Sequence, residues 1–88
     1  MFRIEINNEC ETQVIVNFEE MVDFNNECID SCIDSIYSVT KTFKGIDRDN
    51  IDEPQDYYYT IECDNQNQAS NVEDFLNSLF EELEAEFC

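Results

Sequence analysis

Alternating polarity, or a high content of β-branched and aromatic residues, predicts four β-strands in the chain. Phe2–Ile6 alternates almost from the first residue, and Val14–Phe18 has the same period after a polar turn region. These two segments are expected to form a hairpin. The other two predicted strands are Val39–Phe43 and Tyr57–Cys63, and they are joined by a long acidic loop, Gly45–Asp56, that contains the only Gly and the only Pro.

A period of three to four residues predicts two helices. The first is expected at residues 26–37, and Asn25 or Asn26 can cap its start. The second is expected from Ser70, which forms a capping box with the glutamate three residues later, and its apolar stripe continues to Phe87. The predicted fold is therefore α+β with the order ββαββα, in which two helices cover one face of a small antiparallel sheet.

Length and composition indicate a single acidic domain over residues 1–88. The apolar fraction of 42% is higher than that of disordered chains. There is no signal peptide and no apolar run of roughly 18 residues, so we expect a cytoplasmic protein without a membrane span. Its cysteines are expected to be reduced and mostly in the core. The five cysteines are Cys10, Cys28, Cys32, Cys63 and Cys88.

The net charge is the unusual property of this sequence. Twenty-two Asp and Glu residues face four Lys and Arg residues, which gives a formal net charge of −18. Solubility of a small domain requires a net charge of only about 2–8 in magnitude. The excess increases self-repulsion in the folded state. We therefore expect the negative field to serve a function, and a purely solubilising surface is the alternative interpretation.

The residue types argue against catalysis. The chain has no histidine, which is the commonest general base, and its one glycine cannot build a phosphate-binding loop. We expect neither enzymatic activity nor a cofactor. Cys28 and Cys32 share a helix face with apolar residues, so we interpret them as core thiols rather than half of a zinc site. Residues 47–56 have the acid content of a calcium loop, but Asp52 stands where the EF-hand needs glycine.

Three groups of carboxylates form the predicted partner-binding surface, on the first helix, on the long loop and on the final helix. Acids at the C-terminal end of a helix cost about 0.3–1 kcal/mol each, so their abundance at that end of the final helix favours a functional interpretation. Tyr58 is a further contact candidate, because alternation places Tyr57 and Tyr59 on the opposite sheet face. The acidic set is Glu27, Asp30, Asp34, Asp47, Asp49, Asp52, Glu53, Asp56, Glu73, Asp74, Glu81, Glu82, Glu84 and Glu86.

In its size, its charge and its three groups of carboxylates, the chain resembles small acidic phage proteins that inhibit CRISPR effectors and restriction enzymes by mimicking nucleic acid. The resemblance implies an inhibitor that occupies a basic nucleic-acid groove in the cytoplasm of the host cell. The implied partner is a basic nucleic-acid-binding protein, a CRISPR or restriction nuclease, with no direct binding of nucleic acid and no membrane association. Two alternatives remain open: an acidic interaction module for a basic surface unrelated to nucleic acid, and a weak divalent-cation binder.

Overall fold

The computed structural model describes residues 1–87 and has an α+β fold with one antiparallel sheet. In chain order the strands and α-helices are β1 (Arg3–Asn7), β2 (Cys10–Asn17), α1 (Glu19–Phe24), α2 (Ile29–Tyr37), α3 (Val39–Thr42), β3 (Ile51–Gln55), β4 (Tyr58–Glu62) and α4 (Gln66–Phe87). Short 3-10 turns occupy Asn26–Cys28 and Arg48–Asn50. In the sheet the four strands lie in the order β1-β2-β4-β3.

The strands predicted from alternation at residues 2–6, 14–18 and 57–63 are confirmed as β1, β2 and β4. Val14 pairs with Ile61 and Val16 pairs with Tyr59, and all four side chains point into the core. Alternate residues of the same strands form the opposite face of the sheet, where Gln13, Ile15 and Thr60 stay at least partly exposed. The period of two therefore separates a buried face from an open face.

Helix α4 supplies much of the helical side of the core. It packs on β1 and β2, and α2 packs against it. Leu76 and Phe80 of α4 are fully buried, and the Phe80 ring lies 5.5 Å from the ring of Phe2 and 6.0 Å from that of Phe18. Although α4 has 22 residues, none of the helices in residues 1–87 is long and apolar enough to cross a membrane.

The strand predicted over Val39–Phe43 is wrong, because Val39–Thr42 forms helix α3. Ile36 and Val39 are both fully buried, so the helical spacing of α2 continues into this segment. The Thr40 hydroxyl donates a hydrogen bond to the carbonyl of Tyr37 at 2.8 Å. This bond within the helix helps a β-branched residue to adopt a helical backbone. Lys41, which a strand would have turned towards the core, is exposed.

The long loop predicted over Gly45–Asp56 is also wrong, because it contains a 3-10 turn and the edge strand β3. Only Ile51 of this strand is buried, opposite Ile61 of β4, and the other four residues are exposed. Strand pairing is irregular around Pro54, a residue that an edge strand tolerates. A strand with one buried side chain has no alternation to detect, which explains the error.

Helix α4 begins one turn before the predicted start at Ser70. The side chain of Asn65 accepts a hydrogen bond from the backbone N–H of Gln68 at 2.8 Å, and the side chain of Gln68 accepts one from the N–H of Asp64 at 2.7 Å. The first bond caps the start of α4, and the second ties the residue before the cap to the first turn. The capping box predicted at Ser70 lies inside the helix instead of at its start. Ala69 is fully buried, so the earlier start also lengthens the apolar stripe.

The predicted order ββαββα lacks two short helices that the structure contains. The helix predicted at 26–37 is present as a 3-10 turn followed by α2, and Asn25 caps it by accepting from the N–H of Glu27. However, α1 precedes it and α3 follows it. Helix α1 buries Met21 and Val22 in only six residues, a length too short for a clear period.

Candidate functional site

The predicted acidic residues lie on the surface. Twelve of the fourteen are exposed, whereas Glu73 and Glu84 are partly buried. Within residues 1–87, no charged side chain belongs to the core. The acids therefore contribute to the field around the protein and not to its interior packing.

Two acidic segments far apart in the sequence meet at one end of the molecule. The Asn25 side chain donates a hydrogen bond to the carbonyl of Phe87 at 3.1 Å, which joins the end of α1 to the end of α4. The N-terminal amine of Met1 forms an ion pair with Glu84 at 3.2 Å. We call this region the acidic end, and its eight carboxylates are Glu19, Glu20, Asp23, Glu27, Glu81, Glu82, Glu84 and Glu86.

The cations are concentrated away from this end. Lys44 lies beside the start of α4, where its carbonyl accepts a hydrogen bond from Gln68 at 2.7 Å. Arg48 stacks on the ring of Tyr37 at 4.5 Å, and Lys41 lines the same shallow groove. At the acidic end, only Arg3 and the terminal amine lie close to α1, around a small cavity. Three of the four basic side chains therefore lie away from the acidic end, and Arg3 lies beside it.

Few of the carboxylates have a basic partner. The Met1–Glu84 contact is the one ion pair that the described part of the chain forms. The backbone dipole of α4 adds partial negative charge at the same end. Apart from Glu84, the carboxylates of the acidic end form no ion pair within residues 1–87.

The other predicted acids are spread over three further areas. Glu73 and Asp74 lie about two turns into α4, because this helix begins at Gln66. Asp30 and Asp34 lie on one face of α2, about 6 Å apart along the helix axis. The group predicted on a loop instead follows a sheet edge, from the 3-10 turn through β3 to the turn before β4. Its members are Asp47, Asp49, Asp52, Glu53 and Asp56. In residues 1–87, no cluster of three potential ligands is arranged to hold a metal ion.

The three consecutive tyrosines have different environments. Tyr59 is 3% exposed and stacks on Phe18, with ring centres 5.9 Å apart. Burial, followed by the charge and hydrogen bond of Glu53, raises its pKa from 10.0 to about 12. Tyr57 occupies a left-handed turn with φ of 65°. Tyr58, the predicted contact residue, is partly exposed on the open face beside Asn17.

Sequence reasoning missed part of the acidic end, namely Glu19, Glu20 and Asp23 of α1 and the adjacent Phe24. Phe24 is 67% exposed. One local signal was available, because the Asn17 side chain accepts a hydrogen bond from the N–H of Glu19 at 3.0 Å. An asparagine followed by two glutamates is typical of a helix start. The meeting of α1 with α4 has no local signal.

Two of the four described cysteines are core thiols. Cys28 and Cys32 are fully buried, which confirms the prediction for this pair, whereas Cys10 and Cys63 are only partly buried. Burial, followed by the charges of Glu62 and Asp64, raises the pKa of Cys63 to about 11, so it is a weak nucleophile at neutral pH. Cys88 lies outside the described residues.

Comparison with protein-family models, with curated proteins and with solved structures found no match to this chain. The distribution of charge and the shape of the surface are therefore the observations that bear on function.

Proposed function

We propose that this protein inhibits a nucleic-acid-binding defence nuclease, a CRISPR effector or a restriction enzyme, by occupying its basic groove as a DNA or RNA mimic. The observation that carries the proposal is the charge per unit length. A DNA duplex carries one charge per ~1.7 Å, so about 19 charges over 33 Å. The protein has a net charge of −18 within dimensions of 33 × 24 × 20 Å.

The carboxylates are available to a partner because the protein itself uses so few of them. Among residues 1–87 there is one ion pair, and the acids lie mostly on helices and on a paired strand. Charges held on rigid elements lose little conformational freedom on binding, which favours affinity. Opposite potentials also accelerate association, and this acceleration falls with ionic strength.

The acidic end carries carboxylates that the basic side chains of a partner could neutralise. Glu81, Glu82 and Glu86 crowd the C-terminal end of α4, where acids are unfavourable by about 0.3–1 kcal/mol each. Lys and Arg side chains lining a nucleic-acid groove would offset this cost in a complex. The proposal therefore accounts for an arrangement that destabilises the isolated helix, and it places the protein in the cytoplasm where such nucleases act.

The test is a competition experiment with purified nucleases. A guide-loaded CRISPR effector and a restriction enzyme are each bound to a fluorescent duplex, and anisotropy is followed as the protein is added. We expect the protein to displace the duplex from its target, and its affinity to fall at least about tenfold between low and high salt because the contacts are ionic. A neutral protein of similar size serves as the control.

A complex that holds both the protein and the nucleic acid would contradict the mimicry proposal. That result would favour the acidic interaction module, which binds a basic surface unrelated to nucleic acid. Binding of equal strength at all salt concentrations would contradict both, because each relies on attraction between exposed charges.

A further inference from the structure

Both exposed large apolar side chains in residues 1–87 lie at the acidic end. Met1 is 39% exposed and Phe24 is 67% exposed. Met1 is placed there by its ion pair with Glu84 and by the small cavity that it lines with Glu19 and Glu20. Phe24 is the last residue of α1. The acidic end therefore also presents the most exposed large apolar side chain of residues 1–87.

The local structure holds Phe24 outward. Met21 and Val22 fill the buried positions of α1, at 0% and 5% exposure. After Phe24 the chain turns extended at Asn25, whose N–H donates to the carbonyl of Met21 at 2.9 Å and whose side chain donates to the carbonyl of Phe87. The backbone on both sides of Phe24 is therefore fixed. An aromatic side chain on a fixed backbone has few rotatable bonds to order on binding, which suits a contact residue.

We infer that the acidic end is the contact surface and that Phe24 inserts into an apolar pocket within a cationic groove of the partner protein. This inference rests on the proposed function only for the positive charge of the partner. A second copy of the chain would bring two sets of eight carboxylates together. Nucleic acid and anionic lipid would be repelled in the same way. A cationic protein surface with an apolar pocket complements both the charge and the ring.

Two lysine peptides of equal charge test the inference on the full chain. One is poly-lysine, and the other has leucines interspersed among the lysines. Titration of the ¹⁵N-labelled protein should shift the amides of residues 19–27 and 81–87 with both peptides. Phe24→Ala should lower the affinity for the leucine-containing peptide about tenfold and leave the affinity for poly-lysine unchanged. Only the leucine side chains can make apolar contacts with the Phe24 ring.

Matched variants separate the acidic end from the rest of the surface. Tyr58→Ala removes an aromatic ring from the open sheet face and should leave both peptides unaffected. The double variant Glu20→Gln/Asp23→Asn should lower the affinity for both peptides more than Asp49→Asn/Asp52→Asn does, although each double variant removes the same charge. Equal weakening by the two pairs would overturn the assignment of the contact surface. An unchanged affinity of Phe24→Ala for the leucine-containing peptide would overturn the role of the ring.

The same variants distinguish this inference from the proposed function. If the protein displaces DNA from a nuclease and Phe24→Ala does so equally well, the contact inference fails and the mimicry proposal stands. If Phe24→Ala weakens a complex that still holds nucleic acid, the mimicry proposal fails and the contact inference stands. A dimer in sedimentation equilibrium that Phe24→Ala dissociates would assign the surface to a second copy and overturn the inferred partner.

Discussion

Replacement of Tyr59 by phenylalanine should make the protein more resistant to alkaline unfolding. The Tyr59 hydroxyl is part of a nearly buried side chain between the rings of Phe18 and Tyr37. Burial first, and then the neighbouring Glu53, raise its pKa from 10.0 to about 12. In the folded protein the phenol therefore keeps its proton at a pH where the unfolded chain has lost it.

The size of the effect follows from this difference in pKa. Two pKa units set an upper limit of about 3 kcal/mol of folding free energy, of which about half is lost by pH 11. Because the folded pKa is the higher one, this stability is complete below pH 10 and is lost as the pH rises through about 12. The raised pKa of Cys63, about 11, acts in the same direction and begins at lower pH. A loss of this size is a large fraction of the 5–15 kcal/mol that stabilises a typical domain.

Urea unfolding at a series of pH values measures this contribution. The free energies of unfolding of the wild type and of Tyr59→Phe are compared at pH 8, 9, 10 and 11 by circular dichroism, so that the other tyrosines and the lysines affect both proteins alike. We expect the wild type to lose stability relative to the variant only above about pH 10. Tyr58→Phe is the control and should follow the wild type. A constant difference over the whole range would refute the reasoning.

Two further substitutions test the core and the helix cap. Phe80→Ala should lower the free energy of unfolding by about 3–5 kcal/mol because it leaves a cavity, whereas exposed Phe24→Ala should change it by less than about 0.5 kcal/mol; similar losses in urea unfolding would contradict the burial of Phe80. Asn65→Ala should cost about 1 kcal/mol through the lost cap of α4. Ser70→Ala should lower the melting temperature less than Asn65→Ala. A larger loss for Ser70→Ala would indicate that the helix begins at Ser70.

Most of the fold could be predicted where a period extends over several residues. Strands β1, β2 and β4 alternate, and α4 carries a long apolar stripe, so both types of element were found. The errors lie in short segments. Ile51 is the one buried residue of β3, and α3 has a single buried residue, Val39, so neither segment shows its own period. The β-branched and aromatic residues of this segment favoured a strand, but packing of Val39 in the core gives a helix.

The candidate site was only partly predictable for a similar reason. Exposure of the carboxylates follows from their chemistry, since isolated charges are costly to bury. The grouping of the acids depends on tertiary contacts such as that between Asn25 and Phe87, 62 residues apart. No pattern within a single helix or strand indicates such a contact. The exposure of Phe24 also depends on packing, because Met21 and Val22 take the buried positions of α1.

The irregular strand β3 is a poor template for the addition of another strand. A four-stranded sheet has two edges, and unpaired N–H and C=O groups at an edge can recruit strands from other molecules. Pro54 lacks an N–H to offer at this edge, the pairing is irregular around it, and Asp52 and Glu53 are exposed beside it. An incoming strand would meet both electrostatic repulsion and a missing donor. The edge at β3 should therefore resist strand addition from other molecules of the protein.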